Sequence, residues 1–434
     1  MKLSFSKSKP STEKQRIIAT FRDHVSWGKA AFFKKYGMDF VMGRREGPYL
    51  WDYDGNKRLF NLHCNGGVFN LGHRHPVLIE LLRRTLDEYD IGNHHLMSAA
   101  RAELAAYLAQ LMPGDLNYTV FGVGGGEAID LAFKVARAFT KRTKIISAQG
   151  GYHGHTGLAL AAGDPKYRLP FGPPAPGFLQ VPFGQIEPLA DAIDGDTAAV
   201  ILETVPATMG IVVPSAEYLQ AVRQLCDRNN VLLILDEVQT GLGRTGKLWA
   251  FQHYDIIPDI VVLGKGLSGG LYPISATILR QPLEAVFHPD PFIHISTFGG
   301  AEIGCVIAKK VLEISSAPSF LEHVNNLARH FASGIEALRK KHSRFLLGLR
   351  QLGLMMGLKL SEELSGPILT KTAYDNDLLL VYANNDTSVC QMLPPLDISF
   401  EQVDWVMNQL DHALSAARRL KPVVRLKRKI EKLF

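Results

Sequence analysis

The chain has 434 residues, 46% hydrophobic and 21% charged, with 39 Gly and 23 Pro; this allows two or three domains of about 150 residues around a large core, and the scattered glycines and prolines exclude collagen-like and low-complexity classes. Net charge is +6, much of it in the last segment from Arg418 to Lys432, so the body has no basic stripe tied to a recognition element and nucleic acid is not an expected partner. The four cysteines, Cys64, Cys226, Cys305 and Cys390, form no CxxC pair, which argues against zinc or a disulfide framework and for free thiols in a reducing compartment.

Residues 1–40 are weakly patterned and read as an N-terminal arm. They carry basic residues but no apolar run of a secretory signal. No stretch approaches the ~20 apolar residues of a membrane span, so a cytoplasmic protein is expected. From Pro48 to Phe60, alternating apolar residues flank Asp54-Gly55-Asn56, which predicts a hairpin.

From about residue 75 to 315, helical periodicity alternates with short apolar runs. Helices are predicted over 76–90, 98–111, 126–140, 215–229 and 300–315. Strands are predicted over 144–148, 198–203, 231–236, 260–264 and 274–279. The runs AAVILE, VLLILD and IVVLG are apolar throughout, as in strands covered on both faces of a mostly parallel sheet. The alternation predicts an α/β fold. Beyond 316 the pattern gives a helix (319–341), a strand (353–360), two short strands near 378–392 and a helix (400–418), which suits a smaller α+β domain. The expected division is an arm and part of the small domain over 1–70, a large domain over 71–315, the small domain over 316–420 and a basic tail over 421–434.

Chemistry concentrates in LLILDEVQTGLGRTG and PDIVVLGKGLSGG. Asp236 ends one buried strand and Lys265 follows another, and ligands of open α/β sheets bind beyond the carboxyl ends of strands. Either residue alone suits a helix-capping acid or a surface lysine. Both at strand ends, with glycines on each side of Lys265, point to chemistry. A desolvated lysine is a nucleophile toward carbonyls, and a Schiff base to lysine is how pyridoxal 5'-phosphate (PLP) is held. A buried carboxylate keeps the PLP ring nitrogen protonated.

The run Phe121 to Ala128 is glycine-rich and opens a helix, where backbone N–H groups bind anions. Its spacing matches neither a P-loop nor a dinucleotide fingerprint. Tyr152 offers a flat face for a flat cofactor. His153 and His155 lie too close on one loop, with no carboxylate pattern, to suggest a metal; structural or supporting roles are expected, and no metal site is assigned.

GGGEAIDLAFKVAR, GYHGH, LILDEVQTGLGRTG, PDIVVLGKGLSGGLYPIS, STFGG and LPPLDIS occur in this order. From about residue 45 to 412 the chain resembles the class III aminotransferases, PLP enzymes of fold type I that include ornithine and putrescine aminotransferases. The resemblance implies that Lys265 carries the cofactor, Asp236 pairs with its ring nitrogen and Gln239 bonds its ring hydroxyl. It implies that Val238 packs behind the ring, Tyr152 stacks in front, Glu203 supports from behind, and the Gly125 and Gly126 amides hold the phosphate. Thr297 corresponds to the threonine that reaches the partner subunit's phosphate, which implies a homodimer with shared active sites.

Three positions depart from the family pattern. A hydroxyl residue is usual where Gly126 stands, a loss of about 1 kcal/mol if water replaces it. The family's later glutamate in the segment Glu203 to Thr208 has become Thr208. The arginine before Leu-Pro-Pro-Leu has become Gln391. That arginine commonly grips a substrate carboxylate, and the glutamate neutralises it when an ω-amine binds. Losing the arginine alone would strand a buried carboxylate at a cost of several kcal/mol; losing both is consistent. The expectation is transfer of an amino group between an amine or amino-acid donor and a carbonyl acceptor, with Thr208 and Gln391 as candidate substrate contacts and no carboxylate grip of the usual kind.

A PLP-dependent racemase, epimerase or aminomutase shares the scaffold and would also tolerate that loss. A non-catalytic scaffold would have shed Lys265 or Asp236, and both are present. The tail RRLKPVVRLKRKIEKLF alternates Val423, Val424, Leu426, Ile430 and Leu433 with basic residues. It reads as a solvated helix, with membrane-surface or partner docking as the alternative.

Overall fold

The computed structural model of the protein describes residues 10–431, with side chains as far as Arg425. Its centre is a seven-stranded sheet in the order Leu116–Gly122, Ser275–Arg280, Ile260–Leu263, Leu232–Asp236, Thr197–Glu203, Lys144–Ala148, Phe178–Val181. The last five strands are mutually parallel. Ser275–Arg280 runs antiparallel to both neighbours. The apolar runs have the expected cause: alternate residues of each strand enter different cores. Val200, Leu202, Leu233 and Leu235 pack with Leu219, Trp249 and Phe251 on one face. Ala199, Ile201 and Ile234 pack with Ile129 and Phe133 on the other.

Two smaller sheets complete the fold. One has the order Leu346–Leu352, Met355–Leu360, Val389–Met392, Val381–Tyr382. The other joins Met42–Glu46, Tyr49–Asp52 and Arg58–Asn61 to Leu378–Leu379, a parallel pairing that ties the hairpin to distant sequence. Phe60 and Leu62 accordingly pack with Val324, Phe331 and Leu410 in one core.

Several expectations need correction. The arm contains two helices, Thr12–His24 and Trp27–Lys35, each started by a serine whose hydroxyl accepts a backbone N–H. They lack an inward apolar stripe: Val25 and Trp27 stay about 70% exposed, so the usual signal is missing. A buried Lys14–Asp52 ion pair of 2.7 Å fastens the arm to the hairpin. The helix expected over 76–90 stops at Thr85, where the Glu88 and Tyr89 amides both turn back onto the Thr85 carbonyl. The strands Leu116–Gly122, Phe178–Val181 and Leu346–Leu352 were not expected; each is partly exposed and none presents a continuous apolar run.

The last helix, Phe400–Glu431, passes residue 418 and accommodates Pro422. Lys421 and Arg425 both pair with Glu362, so this part of the basic tail is tied to the body. The amphipathic reading of Leu426 onward falls outside the described side chains. No helix among the described residues is long and apolar enough to cross a membrane.

Trp249 is fully buried, and its indole N–H donates to the Leu111 carbonyl at 3.0 Å. Trp249→Ala is expected to cost about 3–5 kcal/mol through cavity formation. Denaturant unfolding followed by circular dichroism measures this; a loss under about 1 kcal/mol would show that the site collapses freely.

Candidate active site

Three carboxyl ends of neighbouring parallel strands converge on one cavity of about 150 Å³. Glu203 ends one strand and Asp236 the next, paired in register. Lys265 follows the third through Gly264 and holds a left-handed φ of 40°. Non-glycine residues rarely adopt this conformation, and it is held by its surroundings. Gly66 and Gly67, at φ 70° and 100°, allow the segment 61–70 to close over the lysine: a Cβ on Gly66 would stand 3.3 Å from Lys265 Cε.

The electrostatics are set by burial. Lys265 Nζ lies 3.4 Å from Gln239 Oε1, and burial pushes its amine below the ordinary lysine value while Asp236 and Glu203 oppose the shift. His63, half-buried beside it, is held down to about 4 by desolvation and by the lysine's charge. Asp236 accepts from His153 Nδ1 at 2.9 Å and from the Val238 amide at 3.1 Å. That leaves His153 Nε2 buried without a partner among the described residues. Glu203 accepts from the Tyr152 amide at 2.8 Å, and burial raises its carboxyl to about 7.

The glycine-rich turn starts the helix Gly125–Thr140. A Cβ on Gly125 would stand 3.1 Å from Val238, and one on Gly126 2.8 Å from Thr156 Oγ1. The missing hydroxyl side chain at 126 thus has a structural counterpart: the Thr156 hydroxyl occupies that space. Behind the cavity, Glu237 accepts from the Thr204 and Thr240 hydroxyls and from the Ala250 and Phe251 amides, which fixes the loop after Asp236.

Gly125, Gly126, Tyr152, Glu203, Asp236, Val238, Gln239 and Lys265 all line the cavity. Thr297 does not; it lies on an exposed loop with Phe292, Ile293, Ile295 and Phe298. Thr208 and Gln391 do not line it either, but they come together beside it. Gln391 Nε2 donates to the carbonyl of Ala207, the residue before Thr208, at 3.1 Å, and Thr208 Oγ1 donates to the Gly150 carbonyl at 3.2 Å. His63, Thr156, Glu237 and Arg350 went unnoticed in the sequence. Asn65-Gly66-Gly67 was a usable signal for the covering segment; Arg350 had none, because its place depends on strand register. Arg350, Gly357 and Gln391 form one cross-strand row. The Arg350 guanidinium donates to the Gly210 carbonyl at 2.7 Å and faces Asp386 at 3.4 Å. Among the described residues no cluster of side chains suits a metal ion.

Comparison with known proteins agrees with this geometry. The family model Aminotransferase class-III matches residues 33–414. An uncharacterized aminotransferase of Archaeoglobus fulgidus is 54% identical over 417 residues, covering 96% of this chain and 98% of that protein. The acetylornithine aminotransferase of Caldanaerobacter subterraneus subsp. tengcongensis is 37% identical over 398 residues, covering 89% and 98%. Among solved structures, the ornithine aminotransferase of Toxoplasma gondii superposes with a TM-score of 0.86 at 26% identity, covering 95% of this chain and 97% of that one.

Proposed function

The chain belongs to the class-III aminotransferases, PLP-dependent enzymes of fold type I, and from that premise we propose that it moves amino groups between substrates that it does not hold by a buried arginine–carboxylate pair. The observation that carries this reading is the contact of Gln391 with the Ala207 carbonyl beside Thr208, where neutral groups meet and no charge awaits neutralisation. Arg350 is near, but a carbonyl and Asp386 already engage it.

The cavity suits PLP. A buried amine with a lowered pKa, a carboxylate held from behind by His153 and a bare glycine turn at a helix start match an aldehyde, a ring nitrogen and a phosphate in turn. When bound, PLP supplies an aldehyde that captures amines and a cationic ring that takes up electrons from the neighbouring carbon. Lys265 Nζ, whose pKa burial lowers, would take the proton from the substrate's amine-bearing carbon and hand it to the former aldehyde carbon across the intervening nitrogen. An Asp236 oxygen would hold the proton on the ring nitrogen, and His153 Nδ1 keeps that carboxylate oriented. Gln239 would hold the ring hydroxyl, Val238 and Tyr152 would pack against the ring, and Thr156 is a further candidate for the phosphate.

The homodimer reading is supported by the exposed apolar loop around Thr297, adjoined by exposed Leu96 and Met97; a monomer rarely leaves such a surface uncovered. Separate cores support a large unit over 71–315 and a small one over 316–420, and free buried cysteines support a reducing, cytoplasmic setting.

Single-turnover reactions with diamines, alanine and glutamate test the substrate reading. Diamines are expected to react fastest and glutamate slowly. Gln391→Arg is expected to raise glutamate kcat/KM about 10- to 100-fold, the effect of one charge-assisted hydrogen bond of about 1.5–3 kcal/mol. Efficient, saturable turnover of glutamate by the unaltered enzyme would overturn the reading and point to Arg350. Deuterium exchange at the substrate carbon without release of a carbonyl product would favour epimerisation instead.

A further inference from the structure

Away from the Lys265 cavity, the strand Met42–Glu46 with Gly47 and the start of the helix Pro76–Thr85 border an open basin of about 870 Å³. Four arginines stand on its wall. Arg44 pairs with Glu46 and Arg83 with Glu80. Arg45 and Arg74 have no ion-pair partner among the described residues. Asp397 also borders the basin, and burial holds its carboxyl above the ordinary carboxylate value.

A buried histidine reaches the same basin. His73 is 3% exposed and borders it, whereas Asn61, which holds the His73 Nε2 at 3.0 Å, does not. The Asn61 Oδ1 already accepts from the His63 and Cys64 amides. Asn61 therefore presents its Nδ2 donor to the ring, Nε2 accepts, and the ring proton sits on Nδ1. Burial pushes the ring down to about 4, so it is neutral near pH 7. Nδ1–H is then a fixed donor, buried, with no acceptor among the described residues. An unanswered buried donor costs about 1–3 kcal/mol, so an acceptor belongs there. The adjoining helix begins at the same place, with no side-chain cap from His75 and Pro76 at its first position. Its Val77 and Leu78 amides have no intrahelical acceptor.

We propose that this basin binds a phosphoryl-bearing small molecule, whose oxygens are taken by Arg45, Arg74, the Val77 and Leu78 amides and the His73 Nδ1–H. These donors outnumber the two oxygens of a carboxylate and suit the three oxygens and double charge of a phosphoryl group. The site is separate from the cofactor's own phosphate and does not rest on the amino-transfer reading.

The test is calorimetric titration of the holoenzyme, its cofactor in place, with pyrophosphate and separately with citrate at low ionic strength. Saturable pyrophosphate binding is expected. It should weaken at least about tenfold in Arg45→Gln/Arg74→Gln, with amino transfer and melting temperature unchanged. Arg45→Gln alone, at an exposed strand position, carries the test if the double variant does not fold. In protein labelled with ¹⁵N-histidine, pyrophosphate should shift the His73 Nδ1–H signal. No saturable binding, binding unaffected by either variant, or tighter binding of citrate than of pyrophosphate would each overturn the proposal.

Discussion

Lys265→Ala is expected to lower amino-transfer turnover by about 10²–10⁴-fold, the usual worth of a positioned proton-transfer group, while PLP is still bound without a covalent link. The expectation comes from the strand end that places Lys265 and from the burial that keeps its amine below the ordinary value. Alanine removes both the nucleophile and the proton carrier. It leaves the Asp236 contacts and the glycine turn untouched, so the cofactor's remaining anchors survive. The rate is measured from carbonyl product and cofactor retention from phosphate content after gel filtration. Added alkylamines of suitable pKa should restore part of the proton transfer, which a purely structural role for Lys265 would not allow. Turnover within tenfold of the unaltered enzyme would remove Lys265 from the chemistry.

Asp236→Asn is the second large effect. The amide keeps the size of the carboxylate but not its charge, so the proton on the cofactor ring nitrogen loses its stabilising partner. His153 Nδ1 would then face a neutral group instead of a carboxylate at 2.9 Å. A loss of about 10²–10³-fold in kcat is expected, the scale seen when one preorganised electrostatic contact is removed from a catalytic site. The effect should fall on kcat more than on KM, because the charge matters most when electrons move into the ring. His153→Asn should reproduce a smaller part of the loss, since it disturbs only the orientation of Asp236. Equal loss in kcat/KM with kcat unchanged would make Asp236 a binding residue only.

Much of this was readable in the sequence because the decisive positions sit at the ends of fully buried strands. Continuous apolar runs located Thr197–Glu203, Leu232–Asp236 and Ile260–Leu263 to within a residue or two, and Glu203, Asp236 and Lys265 lie at or just past their carboxyl ends. The same rule failed at Leu116–Gly122 and Phe178–Val181, the two edges of the sheet, where solvent on one side dilutes the apolar pattern. Relations between distant residues were least legible. Thr156 fills the space beside Gly126 from thirty positions away, and Arg350 shares a row with Gln391 only because two strand registers coincide. No local pattern encodes either. The two arm helices were hidden for another reason: none of their apolar residues is buried, and Phe21, Trp27, Phe32 and Phe33 are exposed, so no core-facing stripe marks them.

The chemistry turns on which side chain captures the cofactor. Borohydride reduction of the holoenzyme, followed by peptide mapping by mass spectrometry, fixes the label permanently on that residue. The label is expected on the peptide containing Lys265 and on no other. Labelling of a different lysine, or a protein that takes up no PLP at all, would contradict it.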